Sequence, residues 1–233
     1  MNIFDQSRVL YEDNHLIIVN KMAGDIVQGD KTGDTPLSEI VSRFIAERDE
    51  KPGAAFIGVP HRIDRPVSGV AVFAKTSKAL ERMNELFKSG DISKRYWAIT
   101  SARPPKMEEE LVHYMTRNEK QNKSYTSPIP KKDAKEARLI YKFLSSSDRY
   151  NLLQITLLTG RHHQIRAQLA AIGCPIKGDL KYGAARSNPD GSISLHARDI
   201  RFIHPVKKTE VFVEAPVPND QLWKWFEQSV SAI

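Results

Sequence analysis

Ala137-Arg138-Leu139-Ile140-Tyr141-Lys142-Phe143-Leu144, then Ser145-Ser146-Ser147-Asp148, then Tyr150-Asn151-Leu152-Leu153-Gln154-Ile155-Thr156-Leu157-Leu158 are two apolar-rich runs around a short polar turn. So short a connection joins antiparallel strands, because parallel neighbours need a crossover of roughly a dozen residues or more. Further strands are expected at His15 to Val19, Gly69 to Lys75, Lys94 to Ile99, Leu111 to Met115, Ile200 to Ile203 and Glu210 to Val213. Helices are expected only between some of them. Pro36 suits a first helical position ahead of Leu37, Ile40, Val41, Phe44 and Ile45, which recur at helical spacing. Ser77 is placed to cap a helix carrying Leu80, Met83 and Phe87 that Gly90 closes. Arg161 to Ala171 reads as a helix stopped by Gly173, and Asp220 as the cap of a last helix with Leu222, Trp223, Trp225 and Phe226. Strands without regular βα alternation predict α+β, with a mixed, largely antiparallel central sheet and flanking helices and loops.

A chain of 233 residues can bury a substantial core without metal or disulfide support. No repeat, low-complexity tract or Gly/Ser/Pro-rich linker interrupts it, so residues 1–233 are expected to form one domain. Cys174 is the one cysteine, which excludes an internal disulfide and a multi-thiolate metal site. Met1-Asn2-Ile3-Phe4-Asp5-Gln6 does not read as a leader, and no apolar run reaches the ~20 residues of a membrane helix. A cytoplasmic protein without membrane attachment is expected. The 35 Lys and Arg against 28 Asp and Glu give +7 at pH 7, a balance that concentrates phosphate-bearing partners without identifying one.

The excess is uneven. From Arg117 to Lys142, eight basic residues face three acidic ones around Ser127-Pro128-Ile129-Pro130. This reads as a polar excursion between strands: either a solvated loop, or a cationic arm in which Lys131, Lys132 and Lys135 grip a phosphate backbone.

Chemistry-bearing residues gather in three places. His61-Arg62-Ile63-Asp64-Arg65-Pro66-Val67-Ser68-Gly69 sets a carboxylate between two arginines on a turn that Pro66 stiffens ahead of a strand. Flanking cations suit a nucleophile or base better than a proton donor, although a lone cluster of this kind also reads as a surface ion-pair group. Thr159-Gly160-Arg161-His162-His163-Gln164-Ile165-Arg166 follows at the end of a strand, and Gly178-Asp179-Leu180-Lys181-Tyr182-Gly183 reads as a tight turn in which Asp179 and Tyr182 shape the loop. On a helix, Gln164 and Arg166 would not both face the core. His162 and His163 would fall on different sides, so no metal is expected there. His-Glu-x-x-His, a Lys-Ser/Thr phosphate loop and a Gly-x-Ser-x-Gly elbow are missing from the sequence, which weighs against a zinc hydrolase, an ATPase and an esterase.

In this order, from about Val9 (Val-Leu-Tyr-Glu-Asp-Asn-His-Leu-Ile-Ile-Val-Asn-Lys-Met-Ala-Gly) to about Pro218, the segments resemble the RluA-type RNA pseudouridine synthases. The resemblance implies a pseudouridine synthase fold and isomerisation of uridine in structured RNA, with no cofactor. It makes Asp64 the essential aspartate, Arg166 the basic residue paired with it, and Tyr96 of Lys94-Arg95-Tyr96-Trp97-Ala98 the tyrosine that stacks on the target base. Arg62 matches a residue able to fill the space left by a flipped nucleotide, and Ile165 a wall of the base pocket. Arg65, Arg161 and His162 join Arg62 as RNA contacts. Met22, Val67 and His162 depart from the usual family wording without removing a catalytic group. Too little chain precedes Val9 for the S4-type RNA-binding domain of many relatives, so the catalytic domain is expected to select its target with its own loops, either on a simple stem-loop or with a partner supplying specificity. A monomer acting on ribosomal or transfer RNA is expected, ribosomal RNA being favoured by the resemblance. A catalytically silent RNA-binding protein and an RNA-directed N-glycosidase using Asp64 are the alternatives. The intact Asp64, Tyr96 and Arg166 set speaks against the first, and product analysis separates the second.

Overall fold

The computed structural model describes residues 4–29 and 33–231, so Met1 to Ile3 of the N-terminal reading lie outside the described residues. The strands are β1 (Val9–Glu12), β2 (Leu16–Lys21), β3 (Ser68–Ala74), β4 (Ser93–Thr100), β5 (Glu108–Asn118), β6 (Lys123–Ser127), β7 (Lys135–Ser146), β8 (Asn151–Leu157), β9 (Leu195–Ile203) and β10 (Glu210–Glu214). The α-helices are α1 (Leu37–Arg48), α2 (Ser77–Ser89), α3 (Gln164–Ala171) and α4 (Gln221–Ser231). The pairs with a defined register are antiparallel, so the α+β expectation with a largely antiparallel sheet holds. The chain gathers into two compact units, residues 1–92 with 198–216 and residues 93–197 with 217–233.

In the first unit β2 runs antiparallel to β1 and β3, with Leu16 opposite Ala74 and Lys21 opposite Gly69. Leu16, Ile18, Val70 and Val72 share one face by the period of two, and pack with Ala79 and Met83 of α2 and with Ile200, Phe202, Val211 and Val213. The cap of α2 is Thr76, not Ser77: its hydroxyl accepts the Ala79 N–H at 3.2 Å, because Ser77 is already helical. Gly90 closes α2 at φ +85°, as expected, and α1 buries Leu37, Val41 and Ile45.

The turn from β1 to β2 is built on Asp13. Its carboxylate accepts the N–H groups of His15 (2.8 Å) and Leu16 (2.9 Å), the Tyr11 hydroxyl (2.8 Å) and Lys207 Nζ (2.8 Å), and lies 3.0 Å from His204 Nε2. His204 is fully buried, and its Nδ1 accepts the N–H groups of Val206 and Lys207, so Nε2 carries the ring proton beside Asp13, without hydrogen-bond geometry to it.

In the second unit the strands lie in the order β4-β8-β7-β5-β6. The hairpin read from Ala137 to Leu158 is present, closed by the Ser147 N–H on the Tyr150 carbonyl and bulged between Phe143 and Ser145. The polar excursion from Arg117 to Lys142 is not one loop. It contains the end of β5, all of β6 and the start of β7, and β6 escaped notice because its buried positions are Ser124 and Ser127 rather than apolar residues. Asp220 caps α4 as expected, accepting the Leu222 and Trp223 N–H groups, and Trp223 and Phe226 pack with Trp97, Ile99 and Leu152.

Helix α3 begins at Gln164, three residues later than expected, because His163 sits at φ +53° and cannot continue a helix backwards. Gln164 Oε1 instead gathers the Arg161 N–H and the Thr159 hydroxyl. Gln164 and Arg166 are both buried, against expectation: the helix is covered on every side, and each polar head has a partner, Gln164 on the Arg138 carbonyl and Arg166 on Asp179. Past Gly173, Cys174 is 1% exposed, and burial raises its thiol above the usual range.

Candidate active site

Asp64 lies half-buried on a turn of the first unit that its carbonyl closes by accepting the Val67 N–H at 3.0 Å. Ile63 and Val67 on either side are buried, and they pin the turn while Arg62 and Arg65 stay exposed. Arg65 reaches Asp34 at 2.7 Å, and His61 is held by accepting the Val72 N–H and stacking on Phe87 at 4.7 Å.

Behind this turn is a residue that sequence reasoning passed over. Lys21, at the end of β2, is fully buried, and its ammonium donates to the carbonyls of Val67 (2.6 Å), Met22 (3.0 Å) and Arg65 (3.1 Å). Burial draws its pKa down to about 8, and the Asp25 and Asp64 carboxylates work in the opposite direction. Lys21 therefore stays charged at neutral pH and ties the segment just after Asp64, at Arg65 and Val67, to the edge of β2. A lysine after an apolar strand ordinarily reads as a solvated end, and only the resemblance around Asn20-Lys21 hinted otherwise. Lys75, which the sequence left between a lining residue and a solvated strand end, is not solvated: it binds Glu12 at 2.6 Å.

In the second unit, Tyr96 on β4 stands opposite Ile155 and is 9% exposed, while Trp97, pointing the other way, enters the apolar cluster with Trp223. Ile165 is buried on α3. Arg166 follows it with a two-pronged grip on Asp179, Nε to Oδ2 at 2.7 Å and Nη2 to Oδ1 at 2.8 Å, and its guanidinium lies 5.1 Å over the Tyr182 ring.

The two histidines precede the helix, so the expectation that a helix splays them is corrected: their rings stack at 3.8 Å. His162 Nδ1 meets Ser124 Oγ at 2.9 Å and Nε2 meets Asn122 Oδ1 at 3.1 Å. The His163 pKa falls to about 2, first through burial and then through the Arg166 charge, so the ring is neutral; its Nδ1 meets the Tyr182 hydroxyl at 3.0 Å. Arg161 is exposed and donates to the Glu136 carbonyl, and Lys131, Lys132 and Lys135 are exposed, Lys135 as the first residue of β7. Among the described residues no group of three or more His, Cys, Asp or Glu side chains is placed to hold a metal, and no helix is long and apolar enough to cross a membrane.

The chain is 30% identical over 221 residues to "Ribosomal large subunit pseudouridine synthase C" of Buchnera aphidicola, spanning 92% of this chain and 68% of that protein. It is 29% identical over 234 residues to "tRNA pseudouridine synthase C" of Vibrio vulnificus, spanning 93% and 92%. In fold it matches "Human RNA Pseudouridylate Synthase Domain Containing 4" with a TM-score of 0.78 at 23% identity, over 97% of this chain and 93% of that one. The RNA pseudouridylate synthase model matches residues 15–171, which contain the Asp64 turn, Tyr96 and the start of α3. Over so large a share of its length, the chain belongs to the RNA pseudouridylate synthase family.

Proposed function

We propose that this isomerase converts uridine to pseudouridine in a stem-loop of ribosomal or transfer RNA, ribosomal first, and that Asp64, Tyr96 and Arg166 carry the reaction. The observation that supports this most is the Asp64 turn, inside the family match and tied down on its C-terminal side by a buried ammonium. A carboxylate that must meet a sugar carbon needs a fixed backbone, since an error of about 1 Å costs of the order of 100-fold in rate.

A stacked uridine hides its reacting carbons, so it is drawn out of the helix at a cost of roughly a few kcal/mol. Tyr96 offers a ring to stack on, and Arg62 fills the space left. The bond from ribose C1′ to uracil N1 breaks under assistance from Asp64, the base turns, C5 bonds to C1′, and the C5 proton leaves while N1 ends protonated. Electrons balance throughout, so the reaction needs no redox cofactor. An ionised carboxylate beside C1′ is also what glycoside chemistry uses against a developing oxocarbenium ion. Ile165 is assigned to the pocket wall. Arg62, Arg65, Arg161 and His162 are assigned to RNA contact. We further take residues 1–233 to act as one catalytic domain, as a cytoplasmic monomer without a metal.

The test is tritium release from uridine labelled at C5, in separate ribosomal and transfer RNA fractions lacking their own modifications. Release with uracil still joined to ribose supports the reading and names the RNA class. Free uracil would point to an N-glycosidase, and tight binding without release to a silent binder.

Two expectations follow from the same reading. Replacing Lys131, Lys132 and Lys135 with alanine should flatten the dependence of RNA binding on salt by up to about three counterions, and an unchanged slope would return these exposed residues to plain solvation. Lys21→Met keeps the shape but leaves the Met22, Arg65 and Val67 carbonyls without this donor, so stability should fall by about 1–3 kcal/mol in a protein that still folds. Loosening the Asp64 turn should nevertheless lower turnover by about tenfold or more at unchanged RNA affinity. Thermal melting read beside single-turnover rates checks both halves.

A further inference from the structure

Asp179 and Tyr182 do more than shape a loop. We propose that they are positioning residues that set the direction of the Arg166 guanidinium, an inference that rests on the reading of Arg166 as part of the reacting site. Asp179 is 1% exposed and takes the Nε–Nη2 edge of Arg166 with both oxygens, which fixes the plane and leaves the Nη1 side to set what else the group can grip. The Tyr182 ring lies against the guanidinium face and limits its tilt.

Both residues are themselves fixed. Gly178 stands at φ +89°, where a Cβ would meet the Ser192 carbonyl oxygen at 2.8 Å, so the chain entering Asp179 has one path. Gly183 closes the short 3-10 turn at φ +99°. The Tyr182 hydroxyl accepts the Ser124 N–H at 2.8 Å and is hydrogen-bonded to His163 Nδ1 at 3.0 Å, and the Ser124 hydroxyl meets the His162 carbonyl at 2.7 Å. Three segments distant in sequence thus converge on one guanidinium. The low His163 pKa suits this: a charged imidazolium would repel Arg166.

The experiment compares Arg166→Ala, Asp179→Asn, Asp179→Glu and Tyr182→Phe with the unaltered enzyme, reading kcat, RNA affinity and the exchange rate of the Arg166 Nε proton in arginine-labelled protein by NMR. Asp179→Asn should lower kcat about 30-fold and Tyr182→Phe about fivefold, at RNA affinity within about threefold, as a misaimed group would. The Nε proton should exchange faster in both, and Asp179→Glu, which keeps the charge, should recover part of kcat. A purely structural role would lower the melting temperature and the active fraction without this pairing of kcat and proton exchange. If Arg166→Ala is inactive while Asp179→Asn turns over normally, or loses kcat with the Nε proton unchanged, the positioning role is overturned and the reading of Arg166 stands. If Arg166→Ala turns over normally, that reading falls first and the positioning role falls with it.

Discussion

Asp64→Asn is expected to leave a folded protein that binds RNA and does not isomerise it. The side chains are nearly the same size, and the turn is closed by the Asp64 backbone carbonyl on the Val67 N–H, which the substitution leaves in place. Lys21 keeps its three carbonyl acceptors. What disappears is the carboxylate that assists departure of N1. Loss of such a group costs about 10⁴-fold or more, since the remaining residues bind substrate without replacing its chemistry. RNA affinity should stay within a few fold, because neutralising one negative charge near a polyanion removes repulsion. Single-turnover tritium release at saturating enzyme, with filter binding on the same sample, measures both quantities. Turnover near that of the unaltered protein would take Asp64 out of the reaction.

The second large effect is on stability. Asp13→Ala should lower it by about 3 kcal/mol, since it strips two backbone donors, a tyrosine hydroxyl and the Lys207 ammonium of their acceptor at once. For a chain of this size that is a fall of about 10 °C in melting temperature. Burial alone would raise the Asp13 pKa, but Lys207, the two amides and Tyr11 outweigh it and hold the carboxyl below its usual range. A carboxyl lowered on folding stabilises fully above its unfolded pKa of about 4, and that contribution is lost as pH falls through the folded value. The gap between variant and unaltered protein should therefore be widest near neutrality and close in acid. Denaturant melts from pH 7 to pH 3 test this, and a gap independent of pH would show that the charge of Asp13 contributes nothing.

The elements that could be read in the sequence are those set by neighbours along the chain. The hairpin at 137–158, the amphipathic α1 and the Asp220 cap depend on apolar spacing and turn chemistry within a few residues, and each appears as expected. What escaped notice depends on distant partners. Lys21 in a core has no local signature, because its acceptors include Arg65 and Val67, more than forty positions away. The late start of α3 follows from the backward turn at His163, which is fixed by Tyr182 and Ser124 rather than by any helix breaker. β6 stayed hidden because a strand burying serines has no hydrophobic period. Of the candidate site, the Asp64 turn was legible by its charge pattern and Pro66, whereas the grip of Asp179 on Arg166 requires two turns to meet that the sequence presents separately.

The one thiol offers a different kind of measurement. Cys174 lies just past α3, the helix that carries Arg166, and it is both sealed from solvent and held in its unreactive protonated form. Alkylating reagents therefore reach it only when the end of this helix opens. The rate of its modification, followed in intact protein without any added label, is a clock for how often the segment bearing Arg166 comes loose, and its slowing on addition of RNA would count how much of that motion the substrate stills.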